Sequence, residues 1–269
     1  MFYARTLLLV LLLSPVLFQA CSRDEDGRTT VNLFSLEDDK RLGEQLAAEI
    51  AADPATYPLL DPAAYPTAYA ELERIKAALL NSGAVKYKDE FVWQLRIIRD
   101  DSVLNAFCAP GGYIYVYTGL IKFLDKESEL AGVLGHEIAH ADLRHTTDAL
   151  TRQYGVQLLF DIVLGNNQGA IGQLAQGLLG LGYSRGNETQ SDEASVRMLC
   201  ATDWEPTGTA GFFQKLIDEG TGGGAPEFLS THPNPDNRVS DINAKATELN
   251  CPPGEGFATR YEMLKAALP

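Results

Sequence analysis

His136-Glu137-Ile138-Ala139-His140 sets two imidazoles four residues apart, with a glutamate directly after the first. On an α-helix, residues four apart lie about 40° apart around the axis. Both rings then point into one space and can bind one metal ion. Glu137 is one step round, within reach of a water on that metal. Such a set suits hydrolysis, with the metal acidifying a water and the carboxylate taking its proton. A solvated helix that happens to carry two histidines is the plainer alternative.

A catalytic zinc needs a third protein ligand. His145 follows His136 by nine residues, roughly 180° round if the helix continues. It therefore reads as a helix-end or packing residue and not as a ligand. Glu188 and Asp192 are four apart, on one face of a later helix. Glu188 can ligate the metal, while Asp192 accepts a hydrogen bond from the outer nitrogen of a ligating histidine. Such a carboxylate fixes the histidine tautomer and raises its basicity. The competing reading is a charged, solvated face, with Glu193 beside them.

These residues need a scaffold. A helix is expected over 126–147, with Leu130, Leu134, Ile138 and Ala141 on a stripe that can bury itself and leave the ligand face open. Further helices are expected over 37–52, 67–80, 149–164, 170–181, 187–201, 208–219, 236–249 and 258–267. Prolines at 54, 58, 62 and 66 make 53–66 a loop. Strands are expected over 91–98, 103–108 and 113–118. The last carries three tyrosines on one face, with Ile114 and Val116 on the other. Pro110-Gly111-Gly112 is a tight turn, and 221–226 is a flexible loop. No internal repeat is visible. The sum is an α+β fold, mainly helical with a small antiparallel sheet, as one domain over 34–269.

The chain has 269 residues, 45% hydrophobic and 22% charged, the composition of an ordinary globular protein. Its net charge of −14 argues against a nucleic-acid partner and against attraction to anionic lipid. Arg5, an apolar run over 7–13 and then Leu17-Phe18-Gln19-Ala20-Cys21 read as a lipoprotein signal peptide over 1–20, with Cys21 lipidated. A plain secretory signal with a chance cysteine is the alternative. Residues 21–33 are a polar tether, and Ser22 after the cysteine resembles the outer-membrane sorting default. Nothing downstream approaches the ~18 apolar residues of a membrane span. Export implies an oxidising compartment. Cys108 lies in an apolar stretch and reads as a buried small hydrophobe, which leaves Cys200 with Cys251 as the expected disulfide. There is no phosphate-binding Gly-rich loop and no Cys-x-x-Cys.

His136-Glu-Ile-Ala-His140 with Arg144-His145, followed by Ser184-Arg185-x-x-Glu188-x-x-x-Asp192, resembles the gluzincin metallopeptidases. That family includes HtpX, the CAAX prenyl protease, the Oma-type mitochondrial protease and several periplasmic lipoprotein peptidases. Asn105 to Val116, with Gly119-Leu120, resembles the family's strand-turn-strand ahead of the metal helix. Ser230-Thr231-His232-Pro233, with Arg238 five residues past the proline, resembles its late His-Pro motif. The resemblance runs over 36–250. Ser191 stands where the family often has Ala, and Glu193 adds a charge.

The resemblance implies a zincin-like fold and one Zn2+ per chain, held by His136, His140 and Glu188, with Asp192 behind a histidine. Glu137 is then the general base. His232 sits beside the metal, either as an oxyanion donor or as a fourth ligand that shuts the site. A helix-cap neighbour before Pro233 is the plainer reading. The implied activity is zinc-dependent endopeptidase cleavage of unfolded or misassembled cell-envelope proteins, by a lone periplasmic catalytic domain anchored to the outer membrane through Cys21. The strand over 113–118 is expected as an edge that pairs with extended substrate. The alternative is a chaperone-like or assembly-factor binding module with a closed, latent zinc site. The enzyme is preferred because Glu137 serves catalysis and is not needed to hold zinc.

Overall fold

The structure, a computed structural model, describes residues 21–23, 29–31, 33–219, 227–232 and 237–269. The expected signal peptide over 1–20, part of the tether, the loop over 221–226 and Pro233 lie outside the described residues. Within the expected tether, β1 (Cys21–Arg23) pairs antiparallel with β2 (Thr29–Val31), Cys21 opposite Val31.

Ser35 starts α1 (Leu36–Ala52) with a capping box. Its hydroxyl accepts from the Asp38 amide at 3.1 Å, and the Asp38 carboxylate accepts from the Ser35 amide at 2.9 Å. Two otherwise orphaned amides are satisfied in this way. α2 (Pro66–Leu80) begins on Pro66, at a position where a missing N–H is no loss. The proline-rich loop between them bridges the sheet through Leu59 and Ile98.

The sheet contains β3 (Gln94–Ile98), β4 (Ala106–Ala109) and β5 (Tyr113–Tyr117), in the order β3-β5-β4. β4 and β5 form the expected hairpin. It turns at Gly111 and Gly112, whose φ values of 75° and 90° suit glycine. β3, however, runs parallel to β5, Gln94 opposite Tyr113 and Ile98 opposite Tyr117. The sheet is therefore mixed and not wholly antiparallel. The expectation that the tyrosine strand is an edge is also corrected, because β5 is the central strand. β3 and β4 take its two edges. Tyr113, Tyr115 and Tyr117 enter one core with Phe107, while Ile114 and Val116 enter the other with Leu95 and Ile97.

The rest is helical: α3 (Thr118–Phe123), α4 (Glu127–Asp142), α5 (His145–Tyr154), α6 (Val156–Val163), α7 (Ile171–Leu178), α8 (Arg185–Cys200), α9 (Gly208–Asp218), α10 (Glu227–Thr231), α11 (Arg238–Glu248) and α12 (Ala258–Ala266). Two expected helices are each broken in two. The span 126–147 stops at Asp142, because Arg144 takes a left-handed φ of 64°. Its guanidinium donates to the Asp39 carboxylate and to the carbonyls of Phe34 and Ser35. Buried Asp39 also accepts from Thr147 Oγ1 at 2.8 Å, pinning the start of α5. The span 149–164 breaks at Gly155, where φ is 85°.

α4 runs through the centre of the molecule, and all 16 of its residues are buried. Its ligand face is covered too, contrary to the expected open face. α9 comes so close that a Cβ on Gly132 would lie 2.3 Å from the Thr209 amide nitrogen. No helix among the described residues is long and apolar enough to cross a membrane.

Cys200 at the end of α8 is joined to Cys251 just beyond α11, at a sequence separation of 51. Closing a loop of this length removes unfolded-state entropy equivalent to about 4 kcal/mol at most. A Cys200→Ser/Cys251→Ser protein is expected to lose about 2–4 kcal/mol in denaturant unfolding. Non-reducing peptide mapping of protein purified without reductant should recover the two cysteines in one linked fragment.

Candidate metal centre

His136 and His140 project from one face of α4. Glu188 comes from the first turn of α8, and His232 directly follows α10. All four are buried, and one ligand atom from each lies within 4.8 Å of the others. His140 Nε2 is 2.9 Å from His136 Nε2, which is 3.2 Å from His232 Nδ1. Glu188 Oε1 is 3.1 Å from His232 Nδ1 and 3.5 Å from His140 Nε2. Its Oε2 is 3.5 Å from His136 Nε2.

Local structure explains how α8 presents a carboxylate here. Ser184 caps the helix, accepting from the Asn187 amide at 3.1 Å, and the Asn187 side chain accepts from the Ser184 amide at 3.2 Å. Glu188 follows at once, in the first turn, where the helix dipole favours negative charge. One turn on, Asp192 Oδ1 accepts from His136 Nδ1 at 2.9 Å. That places the His136 proton on Nδ1 and turns the Nε2 lone pair into the cluster.

Two carboxylates in a buried space need a counter-charge. Arg238, at the start of α11, donates to both Asp192 oxygens at 2.7 and 2.6 Å and pairs with Glu188 Oε2 at 2.9 Å. Its guanidinium lies over the Phe213 ring, 4.0 Å from the centroid. Burial opposes charge on Asp192, but Arg238 and His136 outweigh it and hold the carboxyl below its usual range. Burial likewise opposes charge on Glu188, and His232, His136 and His140 overcome it, holding that carboxyl well below its usual range. At His136 burial is again overcome, by Asp192 and Glu188, and the ring is pushed up to about 9. His140 goes the other way. Burial and the adjacent His136 take it well below the ordinary histidine value.

Glu137 is fully buried on the same helix. Neither of its carboxylate oxygens has a hydrogen-bond partner among the described residues. Its nearest basic atom is His232 Nε2, 3.5 Å from Oε1. Burial raises its pKa, with His232 and His136 opposing.

The donor set fits a divalent metal. Three imidazole nitrogens and one carboxylate oxygen face each other, and Glu137, whose carboxylate has no hydrogen-bond partner among the described residues, stands beside them. Imidazole and carboxylate are the ligands of tetrahedral zinc sites and of related divalent ions.

The structure brings together His136, His140, Glu188, Asp192, Glu137 and His232, every residue expected at the site. The Cys200–Cys251 pair lies apart from it, at the far end of α8 from Glu188. His145 stays outside the cluster, but its Nδ1 is 3.2 Å from His140 Nδ1. The Tyr183 ring stacks on His140 at 3.8 Å between centroids. Sequence reasoning assigned no role to Arg238 or Tyr183. A count of charges carried the missing signal for Arg238. Two carboxylates, Glu188 and Asp192, turned into a buried site require a cation, and Arg238 already stood in the late motif. The Ser191 departure also acquires a place, its Oγ lying 3.3 Å from His145 Nδ1. Glu193 points away and pairs with Arg197 and Lys245 at 3.1 and 3.0 Å. Cys108 is buried as expected, its Sγ 3.2 Å from Thr146 Oγ1.

The model of peptidase family M48 matches residues 66–246, a span that holds the whole cluster. The chain is 31% identical over 167 residues to the beta-barrel assembly-enhancing protease of Yersinia pestis, covering 57% of this chain and 34% of that protein. It is 29% identical over 227 residues to the mitochondrial metalloendopeptidase OMA1 of Schizosaccharomyces pombe, covering 80% of this chain and 63% of that one. The Escherichia coli beta-barrel assembly-enhancing protease is 29% identical over 167 residues. The chain thus spans about a third of the length of the bacterial relatives.

Proposed function

The chain belongs to peptidase family M48 and is a metalloendopeptidase, and on that footing we propose that it is zinc-dependent and cleaves unfolded or misassembled proteins of the cell envelope. The observation that carries the chemistry is the buried set of His136, His140, Glu188 and His232, beside Glu137, whose oxygens have no hydrogen-bond partner among the described residues.

His136, His140 and Glu188 would hold the zinc, which when bound would acidify a water and polarise the scissile carbonyl. Glu137 is the general base. Among the described residues its oxygens carry no competing hydrogen bond, and burial raises its affinity for a proton. Asp192 keeps the His136 proton on Nδ1, and Arg238 holds the charge of both carboxylates in place. His232 offers Nδ1 to the metal position while its Nε2 faces Glu137. In this arrangement it closes the site at rest.

The envelope assignment rests on the expected signal peptide with Cys21, on a disulfide suited to an oxidising compartment, and on bacterial relatives named for beta-barrel assembly. On this proposal the domain works in the periplasm, tethered to the outer membrane through Cys21. A second reading, a latent assembly factor, is favoured by one observation, the buried His232 within the metal set. Against it, Glu137 has no role in holding the metal.

Purified protein should cleave casein, stop when zinc is chelated and resume when Zn2+ is restored. Glu188→Ala should lower zinc content, since it removes the carboxylate from the set of His136, His140, Glu188 and His232. Elemental analysis reads this directly. Unchanged zinc content would move the third ligand elsewhere.

A further inference from the structure

His145 is not a ligand, yet it is buried against one. Its Nδ1 lies 3.2 Å from His140 Nδ1, and its Nε2 lies 3.0 Å from Gln190 Oε1. His140 directs its Nε2 at the cluster, 2.9 Å from His136 Nε2. The nitrogen facing His145 is therefore the outer nitrogen of His140.

Only one proton arrangement satisfies every atom in this row. Gln190 Oε1 can only accept, so His145 Nε2 carries the proton and donates to it. His145 Nδ1 is then bare and can only accept. His140 Nδ1–H donates to it, which leaves the His140 Nε2 lone pair for the metal. The Ser191 hydroxyl, 3.3 Å from His145 Nδ1, shares the same acceptor. We propose that His145 is the positioning residue of His140, fixing its tautomer and ring orientation through a relay anchored on Gln190.

The broken helix makes this contact possible. In a continuous helix, residues five apart are separated by about 140° around the axis, and His145 would point away from His140. The left-handed turn at Arg144 ends α4 and swings the chain back, so that His145 opens α5 beneath His140. The inference also gives α8 a second task. Asp192 orients His136 directly, and Gln190, half a turn earlier, orients His140 through His145.

The proposal rests on the metal-centre reading and is tested with Zn2+ alone, by chelator competition on the full exported chain. Loss of such an outer partner typically weakens metal affinity by about 10–100-fold. His145→Phe, which keeps the ring volume and removes the acceptor, is expected to fall in that range. His145→Asn, whose Oδ1 can stand where Nδ1 stood, should recover most of the loss. Gln190→Leu should weaken binding in the same direction as His145→Phe. Metal-free melting temperatures report whether each variant folds. His145→Phe binding Zn2+ within about twofold of wild type would overturn the proposal, as would equal losses in folded Phe and Asn variants. Should the variants not fold, imidazole 15N shifts of zinc-loaded wild type decide. Protons on His140 Nδ1 and His145 Nε2 support the relay, and a proton on His145 Nδ1 overturns it. Wild type that binds no Zn2+ overturns the metal-centre reading and the relay with it, whereas zinc-binding wild type with unaffected variants overturns the relay alone.

Discussion

Glu137→Gln is expected to keep its zinc and lose peptidase activity by about 10²–10⁴-fold, the usual cost of removing a general base. The substitution preserves the volume of a fully buried side chain, so the packing of α4 should survive. It removes only the ability to take a proton. The structure separates the two functions because Glu137 is outside the four-residue cluster and its oxygens bond to nothing among the described residues. Turnover of a casein or peptide substrate, with zinc content measured on the same preparation, checks the prediction. A variant that holds one zinc per chain and cleaves at near wild-type rate would remove Glu137 from the mechanism.

His232→Ala is expected to raise activity, by about tenfold or more if the competent form is a minor state of 10% or less. His232 Nδ1 stands among the ligand atoms, and its ring packs on Phe228 at 4.2 Å between centroids. Its segment is held by two backbone bonds, from the Phe228 amide to the Leu104 carbonyl at 3.2 Å and from the Tyr183 amide to the Thr231 carbonyl at 3.3 Å. A fourth protein ligand occupies the position that water and substrate need, so removing it opens the site. The same ring facing Glu137 also restrains the base. If His232 instead donates to the developing oxyanion, the substitution should cost about 10²–10³-fold. Assays at matched zinc content separate the two by sign. Activity equal to wild type would exclude both roles.

What was legible in the sequence was local. The four-residue spacings of His136 with His140 and of Glu188 with Asp192 put each pair on one helix face, because 3.6 residues per turn leave no other outcome. The alternation in 113–118 sorted tyrosines from aliphatics, because successive side chains of a strand face opposite ways. Cys200 and Cys251 were paired by elimination, and the structure joins them.

Tertiary structure decided the rest. Whether β5 is a centre or an edge depends on which strands arrive beside it, and its alternating pattern is the same in either place until both faces are buried. His232 reaches His136 across a sequence separation of 96, a distance no periodicity spans. The end of α4 is the clearest case. Residues 126–147 carry an uninterrupted helical pattern, and a left-handed Arg costs about 1–2 kcal/mol by itself. The chain breaks there because Asp39 and the carbonyls of Phe34 and Ser35, more than 100 residues earlier, receive the Arg144 guanidinium. That offset exists only once α1 has packed against the sheet and against α6 and α7, so nothing in the local sequence could place His145 under His140.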